Sequence, residues 1–120
     1  IRSPHVDVIA HPAGRMIDER DDLDLDWEAV FEAAAEMGTA LEMNGSPHRL
    51  DLAVERARRA VEVGCILSID SDAHRIEELD YRRYGVWQAR RAWVEPRHVL
   101  NARHRDELLA WSRARAGRAG

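Results

Sequence analysis

The sequence predicts an α/β fold built on a parallel sheet, and three observations carry that expectation. Short apolar runs (Val6-Asp7-Val8-Ile9-Ala10, Ala40-Leu41-Glu42-Met43-Asn44 and Cys65-Ile66-Leu67-Ser68-Ile69) alternate with longer segments of helical periodicity. Consecutive strands joined by helical crossovers pair in parallel. Each run ends in a polar cluster, which is where parallel α/β sheets place their functional residues. Three such strands leave edges with unpaired backbone, so the chain is expected to be part of a larger barrel or layered domain. Self-association in isolation is an expected consequence.

The first run is expected to be a mostly buried strand ending at His11-Pro12-Ala13-Gly14-Arg15, where Pro and Gly force a loop. Residues 18–24 are acidic and loop-like. Asp26 is a suitable N-cap for a helix to about Met37, with Trp27, Val30, Phe31 and Ala34 on one face and Gly38 as its stop. Gly45-Ser46-Pro47 breaks the second strand. Asp51 is expected to cap a second helix through Val63, with Leu50, Val54, Ala57 and Val61 on one face and Gly64 as its stop. Glu55 with Arg59, and Arg58 with Glu62, are spaced for surface ion pairs. A third helix is expected from about Tyr84 to Ala92, a helical turn at Pro96, and a last helix from about Arg105 to Arg113. The folded unit is expected to span residues 1–114, with residues 115–120 as a flexible Arg/Ala/Gly tail.

Composition narrows the function. The chain has 120 residues, enough for one small domain, with 45% hydrophobic and 33% charged residues, which excludes global disorder. No apolar run approaches the roughly 20 residues that span a bilayer, so no membrane partner is expected. The start at Ile1, without Met or a signal peptide, reads as a piece of a longer protein. The net charge of −4 argues against a nucleic-acid footprint made by charge alone. The single cysteine, Cys65, allows no internal disulfide and reads as a small buried core residue, with a cytoplasmic location as the default. All 18 basic residues are arginine, which excludes lysine-nucleophile and Schiff-base chemistry in this segment.

Chemistry is expected at the strand ends. Asp72 and His74 are two apart; in extended geometry they share a face, and a carboxylate and an imidazole converging on one point suit Zn²⁺ or Mn²⁺. His11 ends another strand and is a further candidate ligand. The bland alternative is a helix N-cap by Asp72 and a surface His74. Arg15, past Gly14, is placed either to hold a phosphate oxygen or to pair with the acidic loop. Glu42 reads as structural and Asn44 as a partner of its loop. His5, His48, His98 and His104 read as surface or packing residues. The four tryptophans read as helical packing anchors.

Five blocks in order, His11-Pro12-Ala13-Gly14-Arg15, Leu41-Glu42-Met43-Asn44, His48-Arg49-Leu50-Asp51-Leu52, Asp70-Ser71-Asp72-Ala73-His74 and Asp80-Tyr81-Arg82-Arg83-Tyr84-Gly85-Val86, resemble the C-terminal part of the PHP (polymerase and histidinol phosphatase) domain. They are most similar to the version attached to bacterial family X DNA polymerases. The resemblance implies the C-terminal portion of a distorted seven-stranded, TIM-like β/α barrel with divalent metals at its mouth, held in this segment by His11, Asp72 and His74. It implies metal-assisted phosphoester hydrolysis, as a 3′–5′ exonuclease acting in DNA repair, with the remaining ligands in an upstream part of the parent chain. A stand-alone phosphatase of a small phosphomonoester and a non-catalytic structural module of a polymerase are the alternatives.

Overall fold

A computed structural model describes residues 1–117 of the chain. Its sheet has three parallel strands in the order β1 (Val8–Ile9), β2 (Ala40–Asn44), β3 (Leu67–Asp70). Helix α1 (Trp27–Met37) joins the first two strands and α2 (Val54–Val63) the next two. After β3 come a 3₁₀ turn (Ile76–Tyr81), α3 (Arg82–Arg91), two further 3₁₀ turns and α4 (Arg105–Ala116). The mixed α/β class and the parallel pairing are those expected.

The alternation along β2 and β3 builds the core. Leu41, Met43 and Leu67 are buried against Phe31 and Ala34 of α1, Ala57 and Ala60 of α2, and Ala89 of α3. Small residues let α3 lie close to the sheet. A Cβ on Gly85 would sit 2.8 Å from Ile69 Cγ2 and 3.2 Å from the Met43 carbonyl oxygen. The residues between the apolar ones, Glu42, Asn44, Ser68 and Asp70, share the opposite face.

Helix α1 follows expectation. Asp26 accepts from the Ala29 N–H, and Gly38 ends the helix at φ 64°. Helix α2 starts later than expected, behind Ala53, with no side-chain cap. Asp51 does not cap it, because its carboxylate is turned inward and accepts the amides of Ala13 and Gly14. The expected ion pairs on α2 are replaced: Arg59 reaches Glu28 and Glu62, and Arg58 donates to the Arg91 carbonyl. Strand β1 is shorter and more exposed than expected. A turn bonds the Val6 N–H to the Ser3 carbonyl, His11 lies at φ 32°, and Val8 forms the sheet's open edge. Strand β3 begins at Leu67 because the Cys65 N–H is still bonded to the Ala60 carbonyl at the end of α2. Its outer edge is partly closed: the Asn101 amide both accepts from the Ile69 N–H and donates to the Ile69 carbonyl.

The expected boundary at residue 114 falls inside α4, which continues through Ala116. Arg115 is 3% exposed, not part of a tail. It bonds Asp7 at 2.9 Å and the carbonyls of Val6 and Met37, while Trp111 donates to the Gly38 carbonyl. These bonds fasten α4 across the N-terminal ends of the strands, because a guanidinium satisfies several orphan carbonyls at once. Residues 118–120 of the expected tail lie outside the described residues.

Candidate functional site

The loops after the three strands meet at the C-terminal edge of the sheet. The loop after β1 is held from below by two carboxylates. The His11 N–H donates to Glu42 Oε2 at 2.5 Å. The amides of Ala13 and Gly14 donate to Asp51 at 3.0–3.1 Å. Asp51 also accepts the Asn44 N–H through its own carbonyl, so one buried residue ties the His11 loop to the end of β2. Burial pushes the Asp51 carboxyl up, and the amide donors pull it back.

Glu42 is buried and also accepts from the Asn44 side chain at 3.2 Å, while Asn44 accepts the Ser46 N–H at 2.9 Å. Both keep the structural parts expected of them. Asp70 stands beside Glu42 on the same face. Burial, then the hydrogen bond and negative charge of Glu42, push its carboxyl up to about 7. Two carboxylates sharing a half-buried site repel unless a proton or a cation lies between them. This pairing went unread in the sequence, where Glu42 and Asp70 are 28 positions apart; the register of β2 with β3 creates it.

The Asp70–His74 segment is not the extended stretch expected of it. Strand β3 ends at Asp70, and Asp72 turns at φ 51°. The Asp72 N–H donates to the Asp70 carboxylate at 3.1 Å, and its own carboxylate meets Arg49 Nε at 3.4 Å. Half of the bland alternative holds: Asp72 caps no helix, while His74 does lie on the surface. The His74 ring is nonetheless fixed. Its Nδ1 lies 2.7 Å from the Asp72 carbonyl oxygen, and its backbone N–H donates to Glu78. A carbonyl only accepts, so Nδ1 carries a proton, and in the neutral ring Nε2 keeps its lone pair. That is how metal-binding histidines are commonly oriented.

His11, Asp72 and His74 therefore occupy neighbouring loops but do not converge as a ligand set. Among the described residues no three His, Cys, Asp or Glu side chains form one. Arg15 does not pair with the acidic loop: its guanidinium donates to the carbonyls of Arg49 and Leu50. It thereby holds the loop that brings Arg49 to Asp72. Arg49 is a further charged residue to which the sequence reading assigns no role, although it lies in the His48-Arg49-Leu50-Asp51-Leu52 block. A hollow of about 220 Å³ opens here, lined by Arg49, Asp72, His74 and Tyr81 among others. His48 also lines it, while His5 and His104 are exposed and the ring of His98 accepts the Glu95 N–H.

The tryptophans divide. Trp27 packs on Phe31 at 5.7 Å and Trp111 is anchored to Gly38, as expected. Trp87 and Trp93 are 53% and 79% exposed and anchor nothing in the core. No helix among the described residues is long and apolar enough to cross a membrane.

No family model matches the chain. It is 44% identical over 111 residues to the DNA polymerase/3'-5' exonuclease PolX of Bacillus subtilis (strain 168), a match that covers 92% of this chain. The chain spans 20% of the length of that curated relative. Nearly all of this sequence is thus similar to one segment of a bacterial DNA polymerase and exonuclease.

Proposed function

We propose that the chain is the C-terminal part of a PHP domain and contributes one wall of a divalent-metal site that hydrolyses phosphoester bonds at the 3′ end of DNA. The Asp72–His74 pair carries the reading: Nδ1 of the exposed His74 lies against the Asp72 carbonyl, which leaves Nε2 of the neutral ring for a metal, in a chain 44% identical over 111 residues to one segment of a DNA polymerase/3'-5' exonuclease. The donor types fit Mn²⁺ or Zn²⁺, which accept imidazole and carboxylate together. Facing carboxylates at Glu42 and Asp70 add negative charge that a cation relieves. His11, Asp72 and His74 do not form a ligand set by themselves; each would contribute to one only with further ligands supplied from elsewhere in a barrel that continues beyond these three strands.

When bound, divalent cations lower the pKa of a coordinated water and offset charge on the phosphoryl oxygens. The chain's own residues do the rest. Glu42 and Asp51 fix the backbone of the His11 loop, so that His11 is presented from a rigid base. Arg49 pairs with Asp72 and would be available to bind a phosphate oxygen if Asp72 held a metal. Arg15 keeps the Arg49 loop in place and has a positioning part.

The test uses an intact protein that carries this segment and a single-stranded DNA labelled at its 5′ end. With Mn²⁺ the DNA is expected to shorten stepwise from its 3′ end. Asp72→Asn and His74→Ala should each lower the rate by at least about 100-fold, since each removes a ligand. Undiminished cleavage by both variants would reject the assignment.

A further inference from the structure

We propose that the outward face of α3 and the turn before it form a binding track for single-stranded nucleic acid that leads to the rim of the candidate site. The proposal gives a substrate path to the reading above and rests on it for the destination.

Charge is the first observation. Helix α3 carries four arginines and no acid in ten residues, in a chain whose net charge is −4. The turn before it carries Glu77, Glu78 and Asp80; Glu78 binds the His74 N–H and Arg75, and Asp80 lies 4.0 Å from Arg82, so the cationic strip is on the helix itself, at Arg83, Arg90 and Arg91. A local cationic strip on an acidic chain is matched to a polyanion.

The second observation is the row of rings. Tyr81, Tyr84 and Trp87 follow at intervals of three, which places them along one helix face. Their centroids are 6.0 Å and 5.5 Å apart. Arg83 lies 5.0 Å above Tyr84 and 5.9 Å from Trp87. A core anchor would be covered, yet Trp87 is half exposed. The half-exposed Trp87, with the partly buried Tyr81 and Tyr84 beside it and guanidinium groups between them, offers a π-face for a base and donors for phosphates. A duplex hides its base faces, so this geometry favours a single strand.

Continuity with the site is the third. Tyr81 belongs both to the row and to the hollow that Asp72 and His74 line. Its backbone packs closely on Gly45, where a Cβ would clash with the Tyr81 carbonyl oxygen.

The experiment is anisotropy of a fluorescein-labelled oligothymidylate titrated with the 120-residue chain in EDTA, where metal and hydrolysis play no part. Trp87→Ala and Arg83→Glu are each expected to weaken binding about tenfold, and Trp87→Phe less than about threefold. Arg105→Glu, the same charge change on exposed α4, should alter it by less than about twofold. A duplex of equal length should bind more weakly than the single strand. Equal losses from Arg83→Glu and Arg105→Glu would overturn the proposal by showing diffuse attraction. So would duplex binding as tight as single-strand binding, no binding by the unaltered chain, or no effect of Trp87→Ala. Polyglutamate bound as tightly as the oligonucleotide would mark a site for acidic proteins and overturn it as well. A chain that binds this way while the intact protein hydrolyses nothing would sink the proposed function and leave the track standing.

Discussion

The two faces of the small sheet arise from the same strands and are built for different ends. One carries Leu41, Met43 and Leu67 against three helices. The other carries Glu42, Asn44, Ser68 and Asp70 beneath the His11 loop. Because strand side chains alternate, a one-residue step separates what holds the fold from what serves the site. The apolar face is satisfied within the chain. The polar face is satisfied only in part, since Asp70 keeps its proton to about pH 7 against Glu42.

The comparison breaks first at the apolar face. Phe31→Ala removes a fully buried ring and should cost about 3–5 kcal/mol in urea unfolding. Next comes Asp51→Ala, which leaves the amides of Ala13 and Gly14 without their acceptor and should cost about 1–3 kcal/mol. Hydrogen exchange at those two amides should rise more than elsewhere, which separates a loosened loop from general destabilisation.

On the polar face the sign reverses. Asp70 has a folded-state pKa above its unfolded value, so the unfolded chain releases this proton first as pH rises. Metal-free stability should therefore fall between about pH 4 and pH 7. Glu42→Gln removes the repelling charge, so it should flatten that fall and raise stability at neutral pH. Unfolding curves in EDTA at several pH values check both. The smallest effect is expected at Cys65, whose thiol burial pushes up to about 11 while it donates to the Phe31 carbonyl. It should resist disulfide reagents at pH 8 until the chain unfolds. Its linkage sign is the same: stability is lost as pH climbs from about 9, the unfolded thiol value, toward 11.

The regular elements were largely legible because each has a local cause. Asp26 and Gly38 mark α1 through capping, and alternation marks β2. Legibility ended where long-range partners compete with local rules. Asp51 looks like a helix cap but serves amides 37 and 38 residues away. Arg115 looks like tail composition yet closes the far end of the sheet on Asp7. At the site, the sequence placed His11, Asp72 and His74 at strand ends, but the assumption of extended geometry failed at Asp72. The Asp72 φ of 51° and the reach of Arg49 follow from loop closure, which no spacing encodes. Trp87 is exposed where an anchor is expected, because residue type alone carries no information about which helix face meets the sheet.

The central claim is that a divalent cation binds at the C-terminal edge of the sheet, on its polar side. Paramagnetic broadening of the chain's amide NMR signals by substoichiometric Mn²⁺ tests it directly, and it detects even weak binding. The account predicts early loss of signals around His11, Asp70, Asp72 and His74, while those of Gly38 and Arg115 at the opposite end persist. Uniform broadening, or broadening led by the Arg115 end, would contradict it.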